Sequence, residues 1–169
     1  MQAFKFFGVV ALSVLLSHSI AHAQDSRVAT INSQRITSES APAKAATARL
    51  EQEFSKRQKE LADTQQTLKS MSERFERDAP TLSETQRVTR QKEFNDLNRE
   101  FQRKQREFQE DLNSRRNEEL QKVLEAANKA VKQVADADKY DIVIQDGVAY
   151  SSGRNDITDK VLKILNQAK

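Results

Sequence analysis

Two long stretches free of glycine and proline, separated by one short break at Pro80, limit this chain to a helical hairpin over most of its length. From Ala43 to Asp78, Phe54, Leu61, Leu68 and Phe75 recur at intervals of seven. Leu50, Arg57, Thr64 and Met71 fall between them at alternating steps of four and three. That is the a/d pattern of a coiled-coil strand, with one of its two seam positions half polar. Asp78 to Ser83 interrupts it, because Pro80 lacks an N–H and clashes with the preceding turn. Ser83 and Gln86 then fit a capping box that restarts the helix. So short a connection makes the two helices antiparallel neighbours.

The second helix is expected from about Glu84 to Ala137. Phe94, Leu97, Phe101 and Phe108 hold heptad phase, while Phe101, Leu112, Val123 and Val134 are eleven apart. An eleven-residue spacing keeps an apolar stripe nearly straight. This helix outruns the first, so its last turns must pack on the terminal segments.

Those segments are short. Arg27 to Asn32 reads as a strand, Ser33 to Pro42 as a linker broken by Ser38, Ser40 and Pro42, and Tyr140 to Gln145 as a second strand. Asp146-Gly147 signals a hairpin turn, with Val148-Ala149-Tyr150 as the return strand. Asp156 or Thr158 caps a last helix with Ile157, Val161, Leu162 and Leu165 on one face. The expected fold class is α+β. An antiparallel coiled-coil arm, residues 43–137 with its tip near 78–83, projects from a small β-sheet body built from 24–42 and 138–169. A sheet that small leaves raw edges, so the body is expected to be completed by oligomerisation through Val28, Ile31, Ile142, Ile144, Val148 and Tyr150.

Residues 1–23 read as an export signal. Lys5 supplies the positive start, Phe6 to Leu16 the apolar run, and Ala21-His22-Ala23 the cleavage pattern. The run is shorter than the ~20 residues that span a bilayer. Both histidines, His18 and His22, lie in this segment, and the chain has no cysteine. The part after Ala23 therefore lacks thiolate ligands, disulfides and the commonest general base. With no Gly-rich phosphate loop either, the reading is a non-enzyme without cofactor or metal.

The formal charge is +3 for the whole chain, and +2 without Lys5. Basic residues gather near the tip, at Arg74, Arg77, Arg87, Arg90 and Lys92, and again at Arg99, Arg103, Lys104 and Arg106. The tip group is a candidate contact for acidic segments of a partner protein or an anionic lipid or lipopolysaccharide surface. The bland alternative is a solvated face with ion pairs such as Glu73–Arg77 and Glu100–Lys104. Nucleic acid is not expected as a partner. Residues 43–138 carry 20 basic and 19 acidic side chains, where a phosphate-tracking surface needs a clear excess.

Val28 to Ile36, Ser40, Lys44-Ala45-Ala46 and Leu50 to Phe54 resemble the first strand and the start of the first long helix of the Skp/OmpH chaperones. Tyr140 to Ile144 and Asp156 to Leu162 resemble that family's closing strand and helix. The resemblance implies a homotrimer with a β-sheet body whose arms enclose a cavity for unfolded outer-membrane proteins, in a Gram-negative periplasm and without a cofactor; the lack of an ATP-binding motif means that such action would run without ATP. It transfers no discrete site, because client contact in that family is diffuse. The reading of a different class is a structural coiled-coil adaptor of the cell envelope with one dedicated partner.

Overall fold

The computed structural model describes residues 26–167, so the expected export signal lies outside the described residues. The elements run β1 (Val28–Thr30), α1 (Ser33–Glu39), α2 (Ala41–Asp78), a single 3-10 turn (Ala79–Thr81), α3 (Glu84–Asp138), β2 (Ile142–Ile144) and α4 (Thr158–Gln167).

The arm is α2 packed antiparallel on α3. At the break, Ser83 Oγ accepts from the Gln86 amide and Gln86 Oε1 accepts from the Ser83 amide at 2.9 Å, which completes the capping box. Three ion pairs then climb one flank of the arm near the body: Arg49–Glu119, Glu53–Arg115 and Arg57–Asp111. Each lies one helical turn from the next on both helices, so together they fix the register of the hairpin. Phe54 and Phe108 meet edge to face between these rungs, with ring centroids 5.6 Å apart. The polar seam residue Arg57 is accommodated there. Its guanidinium reaches Asp111 at 2.7 Å and lies 5.8 Å from both ring centroids.

The segment expected to be a linker is a helix. Ser38, Ser40 and Pro42 read as breakers, yet Ser40 is the N-cap of α2 and Pro42 sits in its first turn. In that turn a missing N–H costs nothing, since the first amides have no partner within the helix. Asn32 caps α1 by accepting from the Arg35 amide at 3.0 Å. This leaves Ile36 and Ser40 buried at the foot of the arm.

The sheet also differs from expectation. β2 pairs with β1 in parallel, Val28 opposite Ile142 and Thr30 opposite Ile144. Val148-Ala149-Tyr150 forms no return strand, and Asp146-Gly147 turns into an irregular loop. The hairpin signal is local, but β1 offers β2 a partner already anchored in the core. The other side of β1 is taken by residues near α4: the Thr30 amide donates to the Asn155 carbonyl and the Ile157 amide to the Thr30 carbonyl, both at 3.0 Å.

The core of the body gathers Ala29, Ile31 and Ile36 from the N-terminal side and Ala127, Ala130 and Val134 from the last turns of α3. Ile157, Val161, Leu162 and Leu165 complete it from the C-terminal side. The overhang of α3 is thus covered by the two chain ends, as its length requires. Polar ties close the seams: the Asn32 amide donates to Thr158 Oγ1 at 2.9 Å and the Ala41 amide to Asn166 Oδ1 at 2.7 Å.

Candidate functional site

The arm tip brings together three of the five basic residues singled out from the sequence. Arg74, Arg77 and Arg90 border a cavity of about 580 Å³ between α2 and α3, together with Met71, Ser72, Phe75, Asp78, Gln91, Glu93 and Phe94. Arg87 and Lys92 lie instead along a shallower groove on the other side of Phe75, with Val88, Asn95 and Arg99.

The cavity follows from heptad phase. Asp78 falls seven residues after Met71, and Arg90 seven before Leu97. The next layer of the apolar seam is therefore an ion pair, Arg90 Nη1 to Asp78 Oδ2 at 3.0 Å. Arg77 Nε reaches the other carboxylate oxygen at 3.2 Å. The guanidinium groups of Arg90 and then Arg77 hold the Asp78 carboxyl below its ordinary range. The charged heads of this layer stay within reach of water instead of closing over the seam, so Phe75 and Phe94 flank a gap. Deeper in the arm the same heptad series buries Phe54 and Leu68, with Leu61 between them half-buried. Of Phe54, Leu61, Leu68, Phe75, Phe94, Leu97, Phe101 and Phe108, which all fall in the seam, Phe54 and Leu68 are buried and the other six are half-buried.

Arg77 pairs with Asp78, and Glu73 pairs instead with Lys69 at 3.9 Å. The expected Glu73–Arg77 pair does not form. Arg87 Nη2 donates to the Ala79 carbonyl at 2.8 Å and braces the turn. Arg74 and Lys92 make no ion pair among the described residues. Three of the second basic group are paired locally, Arg99 with Asp96, Arg103 with Glu100 and Glu107, and Lys104 with Glu100 at 3.5 Å, while Arg106 makes no ion pair among the described residues.

A second charged centre, at the foot of the arm, was not anticipated. Glu119 is 2 % exposed. It accepts from Arg49 Nε at 2.9 Å and from Lys122 Nζ at 2.7 Å, with Arg115 Nη2 3.9 Å away. Lys122 and then Arg49 hold its carboxyl down at about 2. The signal was present, since Glu119 lies seven after Leu112 and four before Val123, on the apolar stripe. A carboxylate in that phase is buried, and a buried carboxylate needs cations.

The residues expected to join subunits divide in two. Ile31 is buried in the chain's own core, and Val28 is half-buried. Ile142, Ile144, Val148 and Tyr150 stay exposed, Tyr150 at 84 %. Strand alternation explains this. Val143 turns inward onto the core, which puts Ile142 and Ile144 on the outer face.

Among the described residues no cluster of His, Cys, Asp or Glu is set to hold a metal ion, and no helix is long and apolar enough to cross a membrane. Fold and charged surfaces together define a protein with a small α+β body and a long antiparallel helical arm. Residues 27–165 match the family model described as outer membrane protein (OmpH-like). The chain is 31 % identical over 160 residues to the chaperone protein Skp of Photorhabdus laumondii, an alignment covering 94 % of this chain and 97 % of that one. It is equally similar, over the same shares, to the chaperone protein Skp of Yersinia enterocolitica. An OmpH-like protein from Caulobacter crescentus, known from a crystal structure, shares the fold. Its TM-score is 0.69 at 20 % identity, over 98 % of this chain and 90 % of that one. The chain belongs to the Skp/OmpH chaperone family.

Proposed function

We propose that this chain is an ATP-independent periplasmic holdase, exported by a signal cleaved after Ala23, that keeps unfolded outer-membrane β-barrel proteins from aggregating. It does so as a homotrimer, holding the client in the space between three arms. The observation that carries this reading is a family match running through body and arm alike, residues 27–165.

Two features of the fold support it. A parallel strand pair is ordinarily covered on both faces, yet the outer face of β1 and β2 carries Ile142 and Ile144, 51 % and 40 % exposed. That face calls for a second copy of the body, with Val148 and Tyr150 at its margin. The arm, in turn, carries closely balanced charge with half-buried aromatic side chains at intervals. Such a surface suits weak, exchanging, multivalent contact with many sequences.

The test is the absolute mass of the mature protein, alone and after dilution of an unfolded outer-membrane β-barrel protein into it. A trimer that forms a discrete soluble complex is the expected result. A monomer or dimer that leaves the client to aggregate would overturn it in favour of an envelope adaptor with one dedicated partner.

A further inference from the structure

We propose that the cavity at the arm tip is a docking site for client segments in which one carboxylate adjoins an aromatic or large aliphatic side chain. This deepens the holdase reading and rests on it.

The apolar half of the site is Met71, Phe75 and Phe94, side chains of the seam left without a closing layer. A cavity of about 580 Å³ falls in the range that takes a compact ligand, and an aromatic ring entering it restores the missing contacts. Met71 suits such a guest, because its thioether is flexible and packs well on ring edges.

The charge count sets the rest. Three guanidinium groups, of Arg74, Arg77 and Arg90, face two carboxylates, of Asp78 and Glu93. Asp78 is occupied by Arg77 and Arg90, which leaves Arg74 with no ion pair among the described residues. One negative charge is therefore matched. A polyphosphorylated headgroup, bringing several, would meet Asp78 and Glu93 as like charges.

Polar wall groups favour a peptide over an acyl chain. Ser72 and Gln91 also line the cavity, and Gln91 donates one amide N–H to Asn95 Oδ1 at 3.1 Å, leaving its other N–H to donate to, and its oxygen to accept from, a client backbone. An acyl chain would find its apolar floor interrupted by both. The site sits at the far end of the arm from the body, where a client segment is met before it enters the space between arms.

The experiment titrates a short end-blocked peptide with adjacent Phe and Asp onto the mature protein, following peptide anisotropy and the Met71 methyl resonance. Two control peptides replace Asp by Asn or Phe by Ala. Saturable binding that moves Met71 and falls with either control is expected. Arg74→Gln, which breaks no ion pair among the described residues, should weaken the Phe-Asp peptide roughly two- to fivefold and leave the Phe-Asn peptide unchanged. Equal binding of all three peptides, or a Met71 resonance that stays put, would overturn the proposal. Competition by phosphatidylglycerol vesicles with no preference between Phe-Asp and Phe-Asn would overturn it too, assigning the tip to a lipid surface. Each sample is also tested for holding an unfolded β-barrel protein in solution. Retained holding without peptide binding sinks the tip site alone, whereas loss of both sinks the holdase reading with it.

Discussion

Arg49 donates to Glu119 at 2.9 Å across the foot of the arm, tying the first long helix to the second where both leave the body. Glu119 is nearly inaccessible there, next to the small cluster of Ala43, Ala46 and Val123. Removing it leaves Arg49 and Lys122 facing each other without a counter-charge. Glu119→Gln should therefore lower the unfolding midpoint and speed amide exchange around Ala46 and Val123 more than around Phe75. A uniform change along the arm would show that the pair is not a local tie.

The same carboxyl gives a pH signature. Its folded value, about 2, lies below the ordinary ~4.3 of a free glutamate. A depressed carboxylate contributes stability that is fully present above the unfolded value and is lost as pH falls through the folded one. The wild-type midpoint in urea should thus drop between about pH 4.5 and about pH 2, by more than that of Glu119→Gln. Parallel curves for the two proteins would contradict the assignment.

Leu165 is 3 % exposed and anchors α4 in the core of the body. Leu165→Ala should cost about 2–5 kcal/mol, the usual range for a buried Leu truncation. In so small a body this is enough to release α4. Loss of protection in the α4 amides, with the arm tip unchanged, is the outcome to look for in hydrogen exchange.

Lys139 ends α3 in the left-handed region, at φ 57° and ψ 48°, with its amide donating to the Ala135 carbonyl. A side chain there is strained where glycine is not. Lys139→Gly should raise stability by about 0.5–1 kcal/mol in chemical denaturation, the relieved strain being partly offset by a more flexible unfolded chain.

Ile142→Lys and Ile144→Lys place charge on the exposed face of the strand pair. If that face joins subunits, either substitution should shift the mass of the assembly to monomer while helix content stays near wild type. An unchanged mass would move the subunit contact elsewhere.

The arm was legible because its signals are local and repeated. Pro80, Ser83 with Gln86, and the spacing of Phe54, Leu68, Leu97 and Phe108 each act within a turn or two. The body was less so. Ser40 and Pro42 read as stops when they start α2, since capping residues and breakers share the same chemistry and differ only in position. Asp146-Gly147 pointed to a hairpin, but the partner that β2 takes is β1, and no local rule foresees it. At the tip, the basic residues were visible, while the cavity beneath them depends on Asp78 and Arg90 meeting across two helices. That meeting follows from register, which the sequence leaves open until the ion-pair rungs at Arg49, Glu53 and Arg57 are seen.

The parallel pairing of β1 with β2 also sets an order of events in time. Arg27 and Asp141 touch across 114 residues of chain, a closure that a disordered loop would reach slowly. The hairpin shortens it, because zipping from the turn at Pro80 downwards delivers both chain ends to one place. Folding is therefore expected to nucleate at the turn and to finish in the body. Until β2 arrives, β1 lacks the partner to which it hydrogen-bonds along Val28–Thr30.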